Sequence, residues 1–165
     1  MNLKILIGTK NKTLRTPSEP IRKTDSKIKK LIKDMDETIY AQNGVGLAAP
    51  QVGTNLRLIL ARLNSNTDSE VLVHLINPEI VYFSKETVEE EEGCLSVPKR
   101  WGLVNRSKEI IVRFITPKNQ PQTLKLEGLN ARIVQHEIDH LDGILFTDKA
   151  KNIHEKKATE KETTI

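Results

Sequence analysis

Five consecutive residues, His136-Glu137-Ile138-Asp139-His140, carry the strongest chemical signal in the chain. On a helix, imidazoles four positions apart lie about 40° apart in azimuth and about 6 Å apart along the axis, so both can reach one metal ion. Glu137 is turned about 100° from its neighbour, poorly placed as a third ligand and well placed to take a proton from water beside the ion. That is the role of a general base. With 4 histidines in 165 residues, chance matches to this pattern are expected about 0.01 times.

A catalytic metal site takes three protein ligands and keeps one position open. The third histidine of metzincin proteases fails here: Gly143 falls in place, but Phe146 stands where that histidine is required. Glu160 has the downstream spacing used by other zincins, yet it shares a polar segment with His154 and Glu155 and makes a poor ligand. His74, between Val73 and Leu75, reads as a packed or solvent-edge residue of a strand. Cys94 remains as the best third ligand. It is the only cysteine, so no intramolecular disulfide can form, and its thiolate suits Zn²⁺ or Fe²⁺. A lone cysteine is more often packing; beside a His-Glu-x-x-His helix that preference reverses.

A third segment, Gly44-Val45-Gly46-Leu47-Ala48-Ala49-Pro50-Gln51, has small residues where backbone must bend or approach something closely. Without a Gly-Lys-Ser/Thr it is no phosphate loop, and by itself it reads as a tight helix-to-strand connection.

These residues need elements to hold them. Ile28, Leu31, Ile32, Met35 and Ile39 predict an amphipathic helix from Asp25 to Asn43, capped by Asp25 or Thr24 and ended by Gly44. Strands are expected at 56–63, 71–77, 79–83, 109–115 and 122–126, and a second helix from about Gly128 to Leu141. Strands followed by a late helix indicate α+β architecture. A single domain spans 1–148, and the polar 149–165 segment is expected to be a frayed helix or a disordered tail.

Composition narrows the function. The chain has no apolar run near the roughly 20 residues of a membrane span and no secretory signal pattern, so it reads as cytoplasmic. Its 26 Lys+Arg against 22 Asp+Glu give a net charge of +4, with no Arg-rich arm and few aromatic residues, so no specific nucleic-acid partner is expected.

Together, Gly44 to Gln51, Glu92 to Ser96 and Gln135 to His140 resemble the three motifs of peptide deformylases, in order and without a mismatch. Those hydrolases remove the N-formyl group from nascent polypeptides. The similarity runs from the first helix to about Asp148 and includes Ile76-Asn77-Pro78 and Leu141-Asp142-Gly143. Near the N-terminus the family's Asp-Pro ahead of a Leu-Arg pair is replaced by Asn11-Lys12-Thr13 ahead of Leu14-Arg15.

The resemblance implies antiparallel sheets packed around the metal-binding helix, with Cys94, His136 and His140 as ligands. Fe²⁺ is the native ion it implies, with Zn²⁺, Ni²⁺ or Co²⁺ able to substitute. Glu137 would act as base and then acid, while the Gln51 side-chain amide and the Leu95 backbone N–H would hold the oxyanion. Val45, Leu129 and Ile133 would form a pocket for the leading methionine of an N-formylmethionyl peptide whose backbone pairs with Val45-Gly46. Glu92 and Asp139 would orient ligands or loops. A monomer is expected. Many bacterial members carry a longer basic C-terminal helix associated with ribosome docking, and the short mixed-charge segment here makes that association a weak expectation. Two other readings compete: a His-Glu-x-x-His metallopeptidase and a non-catalytic structural metal module.

Overall fold

A computed structural model of the chain describes residues 1–156. Helix α1 is a single turn, Lys12–Arg15, capped by Asn11, whose side chain accepts from the N–H groups of Thr13 and Leu14. The departure from the family's Asp-Pro thus still starts a turn here, and Leu14 is fully buried. Helix α2, Ser26–Ala41, is the expected amphipathic helix, capped by Asp25 through Lys27 and Ile28 N–H. It stops short of the expected Gly44. Asn43, at φ 53°, makes the left-handed turn, and the Gly44 N–H bonds back to the Ile39 carbonyl.

The strands in chain order are Gly46–Ala48 (β1), Leu58–Leu63 (β2), Val71–Phe83 (β3), Thr87–Cys94 (β4), Val97–Ser107 (β5), Glu109–Ile115 (β6), Pro121–Glu127 (β7) and Lys151–Glu155 (β8). One five-stranded antiparallel sheet has the order β1-β2-β3-β6-β7, and a three-stranded sheet has the order β4-β5-β8. The two strands expected at 71–77 and 79–83 are one strand with register shifts after Ile76 and Ile80. Asn77-Pro78 bends it without ending it, since Asn77 tolerates φ 49°.

Helix α3, Gly128–Leu141, agrees with its expected bounds. Its Ala131, Ile133, Val134 and Leu141 pack with Ile59, Ala61 and Leu63 of β2, while Leu58 and Leu60 pack with Met35 and Ile39 of α2. Strand β2 is therefore buried on both faces by its period-two alternation. Burying each such aliphatic side chain contributes about 1.5–3 kcal/mol, so the sheet between two helices is a stiff base for α3.

Strands β4, β5 and β8 are not among the expected elements. The Glu89-Glu90-Glu91-Glu92 run looks like solvated charge, yet long-range pairing with β5 makes it a strand. After the 3-10 turn Phe146–Asp148, the frayed or disordered tail expected over 149–165 is corrected over its first part, where β8 pairs with β5. All five β8 residues are exposed, so backbone bonds to the open β5 edge hold it, with ion pairs from Lys151 to Glu89 and from Lys156 to Glu91 and a contact of His154 Nε2 with Glu91. The rest of that segment, 157–165, lies outside the described residues.

Candidate metal centre

Two elements deliver the donor atoms. Cys94 ends β4 at a two-residue turn, Leu95-Ser96, before β5 pairs back at Val97. His136 and His140 lie one turn apart on α3. Their candidate ligand atoms and the Cys94 Sγ all lie within 4.8 Å of one another, and Cys94 Sγ stands 3.2 Å from His140 Nε2.

All three residues are buried, and their polar atoms are not all satisfied. His136 Nε2 and His140 Nδ1 have no hydrogen-bond partner. Burial, helped by the nearby Glu137 carboxylate, pushes the Cys94 thiol up to about 12. Burial also holds His140 well below the ordinary imidazole range, so it offers a neutral lone pair. Neutral imidazole, a sulfur that lacks a countercharge and an orphaned ring nitrogen are the needs a divalent cation meets. The donor set fits a soft or borderline metal ion.

Behind His136 lies a sealed ion network. Its Nδ1 is 2.9 Å from Glu92 Oε2, which fixes the ring with Nε2 turned to the site. Glu92, itself fully buried, also accepts from Arg106 Nε at 2.6 Å, Arg106 Nη2 at 2.9 Å and Arg132 Nη1 at 2.7 Å. Burial alone would raise its pKa, but Arg106 and His136 outweigh that and hold it well below the usual carboxylate range. Asp139 continues the network outward, accepting from Arg106 Nη1 at 2.8 Å and Lys149 Nζ at 2.7 Å. Arg106 and Arg132 are the residues sequence reasoning missed. One signal was present: Arg132 stands one turn before His136 on the helix.

Glu137 is placed differently. Its carboxylate is fully buried, neither oxygen has a partner, and burial raises its pKa well above the ordinary value. It lies against β1 so closely that a Cβ on Gly46 would come within 2.2 Å of Glu137 Oε1. The second glycine of the Gly44 to Gln51 segment is therefore required by contact with the acid on another element. Gln51, fully buried, accepts from Ala48 N–H at 2.8 Å through Oε1, which turns its Nε2 toward Cys94 Sγ at 3.6 Å and Ser96 Oγ at 3.3 Å.

The expected pocket residues separate into two groups. Val45 and Leu129 line a cavity of about 160 Å³, together with Trp101 and Arg132. Ile133 is fully buried in the core behind it, packed with Val45 rather than lining the cavity. His74 is a strand residue, as expected, bonded through Nε2 to Asp36 at 2.7 Å.

A Cys-His-His donor set on a helix and a hairpin, beside a buried, unpartnered carboxylate, defines a metal-dependent hydrolase of α+β fold. The polypeptide deformylase family profile matches residues 3–156. The peptide deformylase of Picosynechococcus sp. is 43% identical over 142 residues, 86% of this chain and 76% of that protein. That of Carboxydothermus hydrogenoformans is 46% identical over 143 residues, 87% of this chain and 90% of the relative. The crystal structure of peptide deformylase from Thermotoga maritima superposes with a TM-score of 0.85 at 38% identity, covering 92% of this chain and 99% of the other. The chain belongs to the polypeptide deformylase family, hydrolases that remove the N-formyl group from nascent polypeptides. The metallopeptidase and structural-module readings are not favoured.

Proposed function

We propose that Cys94, His136 and His140 hold one divalent cation, natively Fe²⁺ and replaceable by Zn²⁺, Ni²⁺ or Co²⁺, and that this site carries out the deformylase reaction. When bound, the cation supplies Lewis-acid polarisation of the scissile carbonyl and of water. The remaining work falls to the protein's own groups. Glu137 takes a proton from the attacking water and passes it to the departing amine, so that formate and a free N-terminus leave. Its raised pKa and empty hydrogen-bonding capacity support this role. Gln51 Nε2 and the Leu95 N–H donate to the developing oxyanion, each such donor being worth about 3 kcal/mol. The Ala48 bond that orients the Gln51 amide supports that assignment.

Substrate positioning follows from β1. It is the edge strand of the five-stranded sheet, so an extended peptide can add alongside Val45 and Gly46 while the methionine side chain enters the cavity of Val45 and Leu129. Ile133 supports Val45 from the core. Backbone pairing explains tolerance of varied residues after methionine. The acting form on this reading is a cytoplasmic monomer whose partner is the formylated nascent peptide.

The observation that carries the reading is a sealed carboxylate without a partner, one residue from a histidine of the convergent donor set. The test is formate release from a formyl-Met dipeptide by protein prepared without oxygen and reconstituted in parallel with Fe²⁺, Ni²⁺ and Zn²⁺. Metal-dependent formate is expected. No formate from folded protein holding one equivalent of any of these ions would overturn the reading.

A further inference from the structure

We infer that Trp101 is a specificity-determining residue of this cleft and that the C-terminal strand β8, through Lys156, is its positioning element. The inference rests on the deformylase reading above. Two cavities are lined by residues of the β4–β5 hairpin. One, of about 240 Å³, is lined by Gly93, Cys94, Leu95 and Lys99 among others; the second is the 160 Å³ cavity of Val45 and Leu129. Trp101 lines both. A peptide with its formyl carbon near Cys94 and its methionine beside Val45 and Leu129 is bounded by the indole on both counts.

The ring is held from two sources. Gly93 is its cross-strand partner, and a Cβ there would come within 2.9 Å of the ring atoms, so only glycine lets the indole lie on this backbone. Since Gly93 precedes Cys94, the ring is tied to the loop that carries the thiol. The other source is the C-terminal segment. Lys156 Nζ stands 4.5 Å from the ring centroid and is bonded to Glu91 Oε2 at 2.8 Å. The Lys156 N–H donates to the Lys99 carbonyl at 3.2 Å, while Glu155 and His154 pair in register with Arg100 and Trp101. Lys99 has a φ of 65°, a left-handed conformation that a lysine keeps only when its neighbours hold it. Strand β8, exposed along its length, therefore buries little surface of its own and instead braces the segment 99–101 at the mouth of the cleft.

Trp101 is the only tryptophan in the chain, so emission reports this position alone. The experiment compares full-length, metal-loaded wild type with Trp101→Phe, Trp101→Ala, Lys156→Ala and Lys156→Arg. It measures kcat and KM on formyl-Met-Ala and formyl-Met-Ala-Ser, and emission during titration with Met-Ala-Ser. Loss of an aromatic contact predicts a KM about 3- to 10-fold higher for Trp101→Ala, with kcat within about twofold and Trp101→Phe close to wild type. Lys156→Ala is expected to raise KM in the same direction and shift the emission maximum, and Lys156→Arg to restore both. Unchanged KM in Trp101→Ala and Lys156→Ala, a fall in kcat that accounts for the whole loss, or wild-type emission indifferent to Met-Ala-Ser would overturn the inference. Absence of formate from wild type on both substrates would instead remove the deformylase reading, and the emission titration would still decide whether Trp101 meets peptide.

Discussion

Glu92 and Glu137 are both fully sealed from solvent, and the protein treats them in opposite ways. Glu92 lies behind the His136 ring, where two guanidinium groups and the imidazole satisfy both of its oxygens. Glu137 lies against the Gly46 backbone, where neither oxygen has a partner. The same side chain at the same burial is thus held ionised in one region and kept poised to bind a proton in the other. The first arrangement orients the His136 ring; the second is costly to folding, and on the proposed reading that cost maintains a carboxylate able to accept a proton.

The largest effect that would break this contrast concerns Glu137. Glu137→Gln should lower kcat about 10²- to 10⁴-fold in formate-release assays, the usual contribution of general acid–base catalysis. The metal-free variant should melt no lower than wild type, because a desolvated ionisable group has been removed. Turnover within tenfold of wild type would end the contrast. Glu92→Ala is next. It strips Arg106 and Arg132 of their shared buried partner, leaving only the less buried Asp139 and Glu90, and should cost about 3–5 kcal/mol in denaturant unfolding. Loss of the partner that fixes the His136 ring should also weaken metal binding about 10- to 100-fold in chelator competition.

Gly46→Ala sharpens the comparison without touching either acid. Its Cβ would fall within 2.2 Å of Glu137 Oε1, so the carboxylate must move. A displacement of about 1 Å should cost about 10²-fold in kcat, measured with metal content unchanged. The smallest effect belongs to an exposed counterpart of the buried pairs. Asp148 caps the Leu145 N–H and bonds Arg15 with both oxygens, and Arg15 holds its carboxyl below the ordinary value. A depressed folded-state pKa stabilises above the unfolded value, near pH 4, and that contribution disappears as pH falls through the folded one. Asp148→Asn should therefore cost under about 1 kcal/mol at pH 7 and nothing once pH has fallen below the folded-state pKa, measured as thermal midpoints across pH.

The helices and the central strands were legible in local pattern. Apolar residues at helical spacing marked α2 and α3 within a few residues, and alternating or β-branched runs marked β2, β6 and β7. The hairpin of β4 and β5 was not, because a run of four glutamates has poor intrinsic strand preference and becomes a strand only by pairing with residues far from it in sequence. Strand β8 was missed for the same reason, since an exposed polar segment gains its order from an edge that only the folded chain presents.

For the site, side-chain type and spacing were enough to single out Cys94, His136, Glu137 and His140, because a helical repeat converts an interval of four residues into a shared face. Tertiary structure decided what surrounds them. Which glutamate is paired with guanidinium, why Gly46 must be glycine, that Ile133 stays behind the cavity wall and that Trp101 lines it all depend on atoms brought together from distant segments. Local spacing fixes direction along one element; charge pairing, burial and close contact are properties of two or more elements and exist only once they pack.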